Sequence, residues 1–251
     1  MNNIVLIGSG SVATHLGLAL KNKNYIIKQV FSKNLKNAKK LAKKLDSKAI
    51  DKIEEMMQTD LVIISITDYA IEKIISKIKT TNIIHTSGGL DLNIFKNKFK
   101  NYGVLYPVQT FNKKITLNFY KVPLCIEANN LKFKKELKKL AKSISKSVFE
   151  ITSKQRKKIH IAAVFSSNFS NHMFAISDNI LQKENIKFSI LMPLIKQTVK
   201  KLENNKAKDI QTGPAKRKDQ EMINKHLQNI EDKEIREIYK KISHNIIKSN
   251  D

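Results

Sequence analysis

The chain has 251 residues, enough to bury a large core in one broad domain or in two compact ones. No apolar stretch approaches the ~20 residues of a membrane-spanning helix, and the short apolar run Ile4–Ile7 has no cationic residue before it, so neither a membrane anchor nor a signal peptide is predicted. The single cysteine, Cys125, lies in an apolar run, as expected of a buried thiol in a reducing compartment. We therefore expect a cytoplasmic protein without a membrane partner.

The net charge of +25 raises nucleic-acid binding as a hypothesis. Nearly all of this charge is lysine, since the only arginines are Arg156, Arg217 and Arg236. The lysines are spread along helical segments, without the interleaved aromatic residues of a base-stacking surface. We predict no specific nucleic-acid partner. The alternative would require an affinity that falls steeply with salt.

A dinucleotide-binding turn is predicted directly after the first strand. Ile4–Ile7 has the composition of a buried parallel strand, and a G-x-G-x-x-A motif follows it, Gly8-Ser9-Gly10-Ser11-Val12-Ala13. Gly8 permits a tight turn, and Gly10 lets the backbone approach a pyrophosphate at the N-terminus of the next helix. Ala13 is small enough for close packing of that helix on the strand. These six residues form the predicted phosphate-binding turn, and an ordinary strand–turn–helix corner is the alternative.

Strands and helices are predicted to alternate along the first 150 residues. Further strands are expected over Ile26–Phe31, Lys48–Ile50, Leu61–Ile66, Asn82–His85, Tyr102–Leu105, Pro123–Glu127 and Val148–Ile151, with helices over Ser11–Leu20, Asn37–Leu45, Ala70–Lys77 and Phe133–Ser145. Right-handed crossovers would give an open, mostly parallel sheet with helices on both faces. After Thr152 only helical patterns remain, broken near Pro193 and Gly213. We predict an α/β fold: a Rossmann-like domain over 1–152 and an all-α domain over 153–251.

The end of the second strand predicts the cofactor. An NAD site usually places a carboxylate there to bind the ribose 2′-hydroxyl, but this chain has Ser32 and Lys33. A hydroxyl beside an ammonium suits a 2′-phosphate, so NADPH is favoured over NADH. A simple polar turn is the alternative.

Three later segments follow predicted strands and carry candidate ligand-binding side chains. Thr67 and Asp68 follow one strand, His85 and Ser87 follow another, and both pairs are assigned to the cofactor. Gln109 follows the next strand and is assigned to the substrate. The alternatives are that Asp68 caps a helix and that the hydroxyls after His85 cap a glycine turn.

The helical region carries further polar candidates. His160, Asn168 and Asn171 share one face of a regular helix, with His172 beside it. We predict His160 or His172 as proton donor, Asn168 as the group that holds the developing oxygen charge, and Asn171 as a substrate contact. After the Gly213-Pro214 turn, Arg217 is the candidate for binding a substrate carboxylate. No metal site is predicted, because one cysteine and six scattered histidines form no zinc ligand set.

Together these motifs resemble a known family. They are Gly8–Leu16, His85-Thr86-Ser87-Gly88, Tyr106-Pro107-Val108-Gln109-Thr110-Phe111, His160–Val164, Asn168-Phe169-Ser170-Asn171-His172 and Thr212–Asp219. They look like those of the Rossmann-like reductases with a C-terminal domain of unknown function, DUF2520. The resemblance implies an NADP-binding fold, a helical domain similar to that of 6-phosphogluconate dehydrogenase, and NADP- or F420-dependent oxidoreduction. It also implies relatedness to pyrroline-5-carboxylate reductase and to alternative ketopantoate reductases, and a homodimer.

The function predicted from these features is NADPH-dependent reduction of a small carbonyl or imine acid. A sensor that binds NADPH without catalysis is the alternative, because no catalytic lysine or tyrosine stands out. The two hypotheses differ in turnover, which only the enzyme would have.

Overall fold

The computed structural model describes residues 1–249, and these form two compact units that divide after Asn168. The division lies later in the chain than the predicted boundary between residues 152 and 153. Helix α5 (Ser153–Ala163) belongs to the first unit, where the buried Arg156 pairs with Glu127 of the sheet. The first unit therefore includes a helix that composition alone assigns to the helical region.

The first unit contains all eight strands and the first five α-helices. The strands are β1 (Asn3–Ile7), β2 (Ile26–Phe31), β3 (Lys48–Ile50), β4 (Leu61–Ile64), β5 (Asn82–His85), β6 (Asn101–Pro107), β7 (Leu124–Ala128) and β8 (Val148–Glu150). The other helices are α1 (Ser11–Lys21), α2 (Leu35–Leu45), α3 (Asp68–Ile74) and α4 (Leu131–Ile144). Each predicted strand and helix of this region is present, although the helix predicted over Ala70–Lys77 divides into α3 and a 3₁₀ turn, Ile75–Lys77.

The strands form one sheet in the order β3-β2-β1-β4-β5-β6-β7-β8. The first six are parallel, β7 runs antiparallel to β6, and β8 runs parallel to β7. The chain leaves β1 toward β2 and later returns on its other side as β4, so a switch point lies between β1 and β4. Ligands bind at such a point, outside the carboxyl ends of the strands.

Alternation of side chains along the strands builds a core on each face of the sheet. Ile4 and Leu6 of β1 face the layer of α1, α2 and α4, whereas Val5 and Ile7 face the layer that contains α3. A third cluster, Val104, Tyr106 and Cys125, lies on the face covered by α5. Cys125 is buried, as predicted.

The second unit contains helices and no strand within its described part, as predicted, with turns and irregular backbone over residues 202–219. It contains α6 (Ser170–Lys183), α7 (Met192–Lys201), α8 (Gln220–Asn229) and α9 (Lys233–Ser249). Pro193 lies in the first turn of α7, where a missing amide hydrogen has no consequence for the helix. Within residues 1–249, no helix has the length and apolar character that crossing a bilayer requires.

Candidate functional site

An open cleft of about 550 Å³ lies at the carboxyl ends of β1, β2, β4 and β5. Nine of the twelve predicted cofactor-binding residues line it: Gly8, Ser9, Gly10, Ser11, Val12, Ser32, Lys33, Thr67 and Ser87. Ile66, Ala70 and Ile74 contribute an apolar wall. Thr86 contributes a hydroxyl from the predicted motif after β5, and Ser65 contributes one that sequence reasoning did not single out. The cleft therefore combines a polar floor with an apolar side, as a site for a nucleotide requires.

The turn after β1 fits a dinucleotide pyrophosphate. Gly8 has φ of +121°, and a Cβ there would lie 2.2 Å from the carbonyl oxygen of Ser65, so only glycine fits. Gly10 is the N-cap of α1 and lines the cleft, and a Cβ there would meet no heavy atom within 4 Å. The first turn of α1 offers amides without intrahelical acceptors, and these bind anions. Ala13 is fully buried in the core beneath this turn.

The end of β2 carries polar groups and no carboxylate. The hydroxyls of Ser9 and Ser32 lie 3.0 Å apart in a hydrogen bond, which joins the glycine turn to the end of β2. The exposed Lys33 follows. Ser32 and Lys33 lie at the place where a Rossmann-like fold recognises the 2′ substituent of the adenosine ribose.

Thr67, Asp68 and Ser87 lie near the cleft, and each also takes part in the local structure of a helix start or a turn. Thr67 occupies the N-cap position of α3, and Asp68 is the first residue of the helix, so Asp68 is not the cap. The hydroxyl of Ser87 accepts hydrogen bonds from the amides of Gly89 (3.1 Å) and Leu90 (3.0 Å), as a capped glycine turn would require.

His85 does not line the cleft, contrary to its prediction as a cofactor-binding residue. It shares the face of β5 that carries Ile83, because alternate residues of a strand point the same way. Its ring is fully buried against Phe95, with centroids 5.5 Å apart, and its Nδ1 accepts a hydrogen bond from the amide of Ser87. Burial and the nearby Arg156 lower the pKa of His85 to about 3, so the imidazole is neutral.

A tyrosine–histidine pair lies beside the Ser87 turn. The hydroxyl of Tyr106, at the end of β6, is 3.0 Å from Nδ1 of His160 in α5. A Cβ at Gly88 would lie 2.7 Å from this imidazole and 2.8 Å from the tyrosine ring, so glycine is what allows the two rings to approach the turn. Burial raises the pKa of Tyr106, which keeps its hydroxyl protonated at neutral pH. The position of Tyr106 directly after a strand was the only sequence signal for it.

Helix α5 holds His160 in place through its first turns. Arg156 is fully buried, forms an ion pair with Glu127 of β7 and donates to the carbonyl oxygen of Leu90. Ser153 also bonds the carboxylate of Glu127. These contacts tie α5 to both the sheet and the loop that follows β5.

The other predicted catalytic and substrate-binding residues do not form one continuous helix face. A π-helix over Val164–Phe169 interrupts the α-helical spacing, since its hydrogen bonds connect residues five apart. Asn168, Asn171 and His172 are exposed, the last two in the second unit. In that unit Arg217 lies 4.0 Å from Asp219, which caps α8. The side-chain oxygen of Gln109 accepts hydrogen bonds from the amide and the hydroxyl of its neighbour Thr110, and the assignment of Gln109 to the substrate stays a prediction.

Two family models match the chain. The model described as NADP oxidoreductase, coenzyme F420-dependent, matches residues 3–87, and the domain of unknown function DUF2520 matches residues 122–246. No curated protein sequence matches the chain.

Solved structures give closer parallels. A candidate NADP oxidoreductase from Bacteroides fragilis is 35% identical, with 98% of each chain covered and a TM-score of 0.93. A pyrroline-5-carboxylate reductase from Streptococcus pyogenes is 16% identical, with 99% of this chain and 97% of that chain covered and a TM-score of 0.65. A pyrroline carboxylate reductase from Plasmodium falciparum, solved with NADP bound, is 14% identical, with 99% and 95% covered and a TM-score of 0.61. At these identities the two reductases share the fold.

Proposed function

This chain belongs to the family of Rossmann-like NADP oxidoreductases that carry a C-terminal DUF2520 domain, and from that premise we propose that it is an NADPH-dependent reductase of a small carbonyl or imine acid. The observation that carries the proposal is the cleft at the switch point, where the Gly8–Gly10 turn and the Ser9–Ser32 hydrogen bond meet. When bound, the nicotinamide supplies a hydride to an electrophilic carbon.

The preference for NADPH rests on the end of β2. Ser32 and Lys33 offer a hydroxyl and an ammonium to a 2′-phosphate, and the carboxylate that would bind a 2′-hydroxyl is absent from this turn. The pyrophosphate is bound by the first turn of α1.

Proton transfer is assigned to His160, with Tyr106 as its positioning partner. The hydrogen bond between the Tyr106 hydroxyl and Nδ1 of His160 orients the imidazole and leaves Nε2 as the nitrogen that can act on a substrate. In its imidazolium form, His160 would release the Nε2 proton to the developing alkoxide or amine and remain as the neutral imidazole, since this proton exchange of histidine occurs near neutral pH. Asn168 is proposed to bind the same oxygen. The roles of His172 as alternative donor, and of Asn171 and Arg217 in substrate binding, remain predictions.

The proposed substrate class is supported by the family resemblance and by reductases that share the fold. The pyrroline-5-carboxylate reductases that share this fold act, by name, on a cyclic imine acid. Cyclic imine acids and ketopantoate are therefore the first compounds to screen.

We also propose that the protein is a homodimer. The helical unit exposes large apolar side chains, among them Ile190 (66%), Leu194 (64%) and Val199 (58%). Exposed large apolar side chains close together in the chain are typical of protein–protein contacts, and we propose that a second copy of the chain covers them. Sedimentation equilibrium would report the mass, and a monomer at micromolar concentration would contradict the proposal.

Titration with NADPH and NADH, followed by nicotinamide fluorescence, tests the proposed function. We expect tighter binding of NADPH, and a Ser32→Asp variant that loses this preference because a carboxylate repels the 2′-phosphate. Turnover on a screened acid completes the test. Nucleotide binding with no turnover would favour the sensor, and binding of neither nucleotide would contradict the proposal.

A further inference from the structure

A lysine-lined recess adjoins the cleft on the other side of Ser9. It encloses about 250 Å³, and the residues that line it include Ser9, Asn37, Lys40, Lys44, Lys113 and Lys114. Lys40 and Lys44 come from α2, and Lys113 and Lys114 come from the β6–β7 connection, residues 108–123. Among the described residues that line this recess, none is acidic.

The β6–β7 connection is held in place by packing on α1. Nε2 of His15 donates to the carbonyl oxygen of Asn112 at 3.0 Å. Phe111 packs against the ring of His15 and stacks on the buried Phe119. Lys113 directly follows Asn112. The contacts of Phe111 and Asn112 with α1 therefore fix the position of the Lys113 backbone.

Lys113 then reaches the phosphate-binding turn directly. Its ammonium donates to the carbonyl oxygen of Ser9 at 2.5 Å, and the hydroxyl of the same serine bonds Ser32. Ser9 lines both the cleft and the recess. The cations of the recess therefore lie next to the position where the end of β2 recognises the ribose 2′ substituent.

We infer that the recess binds a phosphate monoester, the 2′-phosphate of the cofactor, and that Lys113 determines the specificity for NADP. The inference rests on the proposed function. The four lysines that line this small volume carry like charges, and a phosphate dianion between them would add attractive interactions that offset their mutual repulsion. A charge-assisted hydrogen bond from Lys113 adds to those from Ser32 and Lys33. Inorganic phosphate offers the same charged oxygens as the 2′-phosphate, and the experiment below distinguishes these two ligands.

Calorimetric titration of the full-length protein with adenosine 2′,5′-bisphosphate and with 5′-AMP tests the inference without requiring catalysis. The two ligands differ only in the 2′-phosphate. We expect wild-type protein to bind the bisphosphate more tightly than AMP. In Lys113→Met the ratio of the two dissociation constants should fall by about tenfold, the usual effect of one charge-assisted hydrogen bond. Binding of AMP should stay within about twofold, since it lacks the group that Lys113 contacts.

Two further variants control for charge and for folding. Lys98→Met removes the same charge from an exposed position before β6, at the opposite edge of the sheet, and should keep the preference. Lys113→Arg keeps the positive charge and should keep most of the preference for the bisphosphate. A Lys113→Met variant with the wild-type preference would overturn the inference and leave Ser32 and Lys33 as the phosphate ligands.

The remaining outcomes are equally decisive. If inorganic phosphate binds in a Lys113-dependent manner without competing with the bisphosphate, the recess takes a free anion and the assignment to the cofactor is overturned. If wild-type protein binds NADH but does not distinguish the bisphosphate from AMP, the inference fails while a nicotinamide-dependent function stands. If no nicotinamide nucleotide binds, the proposed function itself has failed.

Discussion

At the scale of single residues, Gly8 and Gly10 stand in opposite steric situations. A methyl group at Gly8 would collide with the Ser65 carbonyl, and its φ of +121° strains any other residue. A methyl group at Gly10 would meet only the open cleft. The fold therefore requires glycine at position 8, whereas at position 10 it is the proposed cofactor that would require glycine.

The pair of variants Gly8→Ala and Gly10→Ala should separate these two requirements. We expect Gly8→Ala to lower the free energy of unfolding by at least about 2 kcal/mol, and Gly10→Ala to leave it nearly unchanged. Gly10→Ala should nevertheless weaken NADPH binding by at least about tenfold, because its methyl group occupies the path of the pyrophosphate. Urea denaturation and fluorescence titration measure the two quantities. Wild-type affinity in Gly10→Ala would argue against a dinucleotide at this turn.

The Tyr106–His160 pair yields a second prediction at this scale. His160→Gln should lower kcat by about 100-fold or more, the usual loss with a general acid, while leaving the Kd for NADPH within about twofold. Tyr106→Phe should have a smaller effect on kcat, about tenfold, and should shift the pH profile of kcat because the positioning hydrogen bond is lost. His172→Gln is the matched comparison. If it abolishes turnover and His160→Gln does not, the proton donor is His172.

At the scale of elements, the reversal of the sheet after β6 determines where α5 ends. Because β7 and β8 run antiparallel to β6, α5 starts near Glu127 and runs back toward the carboxyl ends of the parallel strands, where His160 meets Tyr106. Apolar periodicity predicted each of these strands but carries no information on strand direction. The pairing of Tyr106 with His160 depends on that direction, and for this reason it could not be predicted from the sequence.

The same limit applies to His85 and to the helix after Ala163. The strand ending in His85 was predicted with its observed bounds, but the face on which that residue lies depends on which layer Phe95 covers. The common face of His160, Asn168 and Asn171 assumed regular α-helical spacing, which the π-helix interrupts. By contrast, the place of the glycine turn, Ser32 and Lys33 along the cleft could be predicted, because they belong to one local segment, β1-α1-β2 and the turn after it.

Arg156 is the main anchor of α5, and its removal is expected to destabilise the fold. Arg156→Met leaves the carboxylate of Glu127 largely buried without its partner, which should cost about 3–5 kcal/mol in the free energy of unfolding. Lys157→Met is the control on the same helix, because Lys157 pairs with Asp91 in an exposed ion pair of at most about 1 kcal/mol. Denaturant titration of both variants gives the comparison. Equal stability of the two variants would contradict the anchoring role.

At the scale of the whole molecule, the net charge of +25 makes acidification unfavourable, since each added proton increases self-repulsion. His85 adds a specific contribution at mildly acidic pH. Its pKa is about 3 in the folded protein against an ordinary 6.5, so the unfolded chain takes up the proton first as the pH falls. The contribution of the neutral His85 to the free energy of unfolding is therefore fully present above pH 6.5 and is lost progressively as the pH falls toward 3.

This loss should be measurable as a slope. We expect the free energy of unfolding to fall by on the order of 1 kcal/mol per pH unit between pH 6.5 and 4.5 through His85. His85→Asn keeps an acceptor for the Ser87 amide but cannot be protonated, so its slope should be smaller by that amount. Urea denaturation at several pH values gives both slopes, and comparing slopes removes any constant difference in stability. Identical slopes would show that His85 titrates normally in the folded protein.

The antiparallel turn from β6 to β7 also bears on how such a protein can change during evolution. Residues 108–123 leave the sheet at the carboxyl end of β6 and re-enter it at the same edge, because β7 runs in the opposite direction. A parallel β7 would have forced this segment to cross to the far edge. A segment that starts and finishes at one edge can be lengthened, shortened or exchanged without altering the register of any strand. If Lys113 in this segment determines the cofactor preference, that preference could change by replacement of a single loop while the sheet keeps its register.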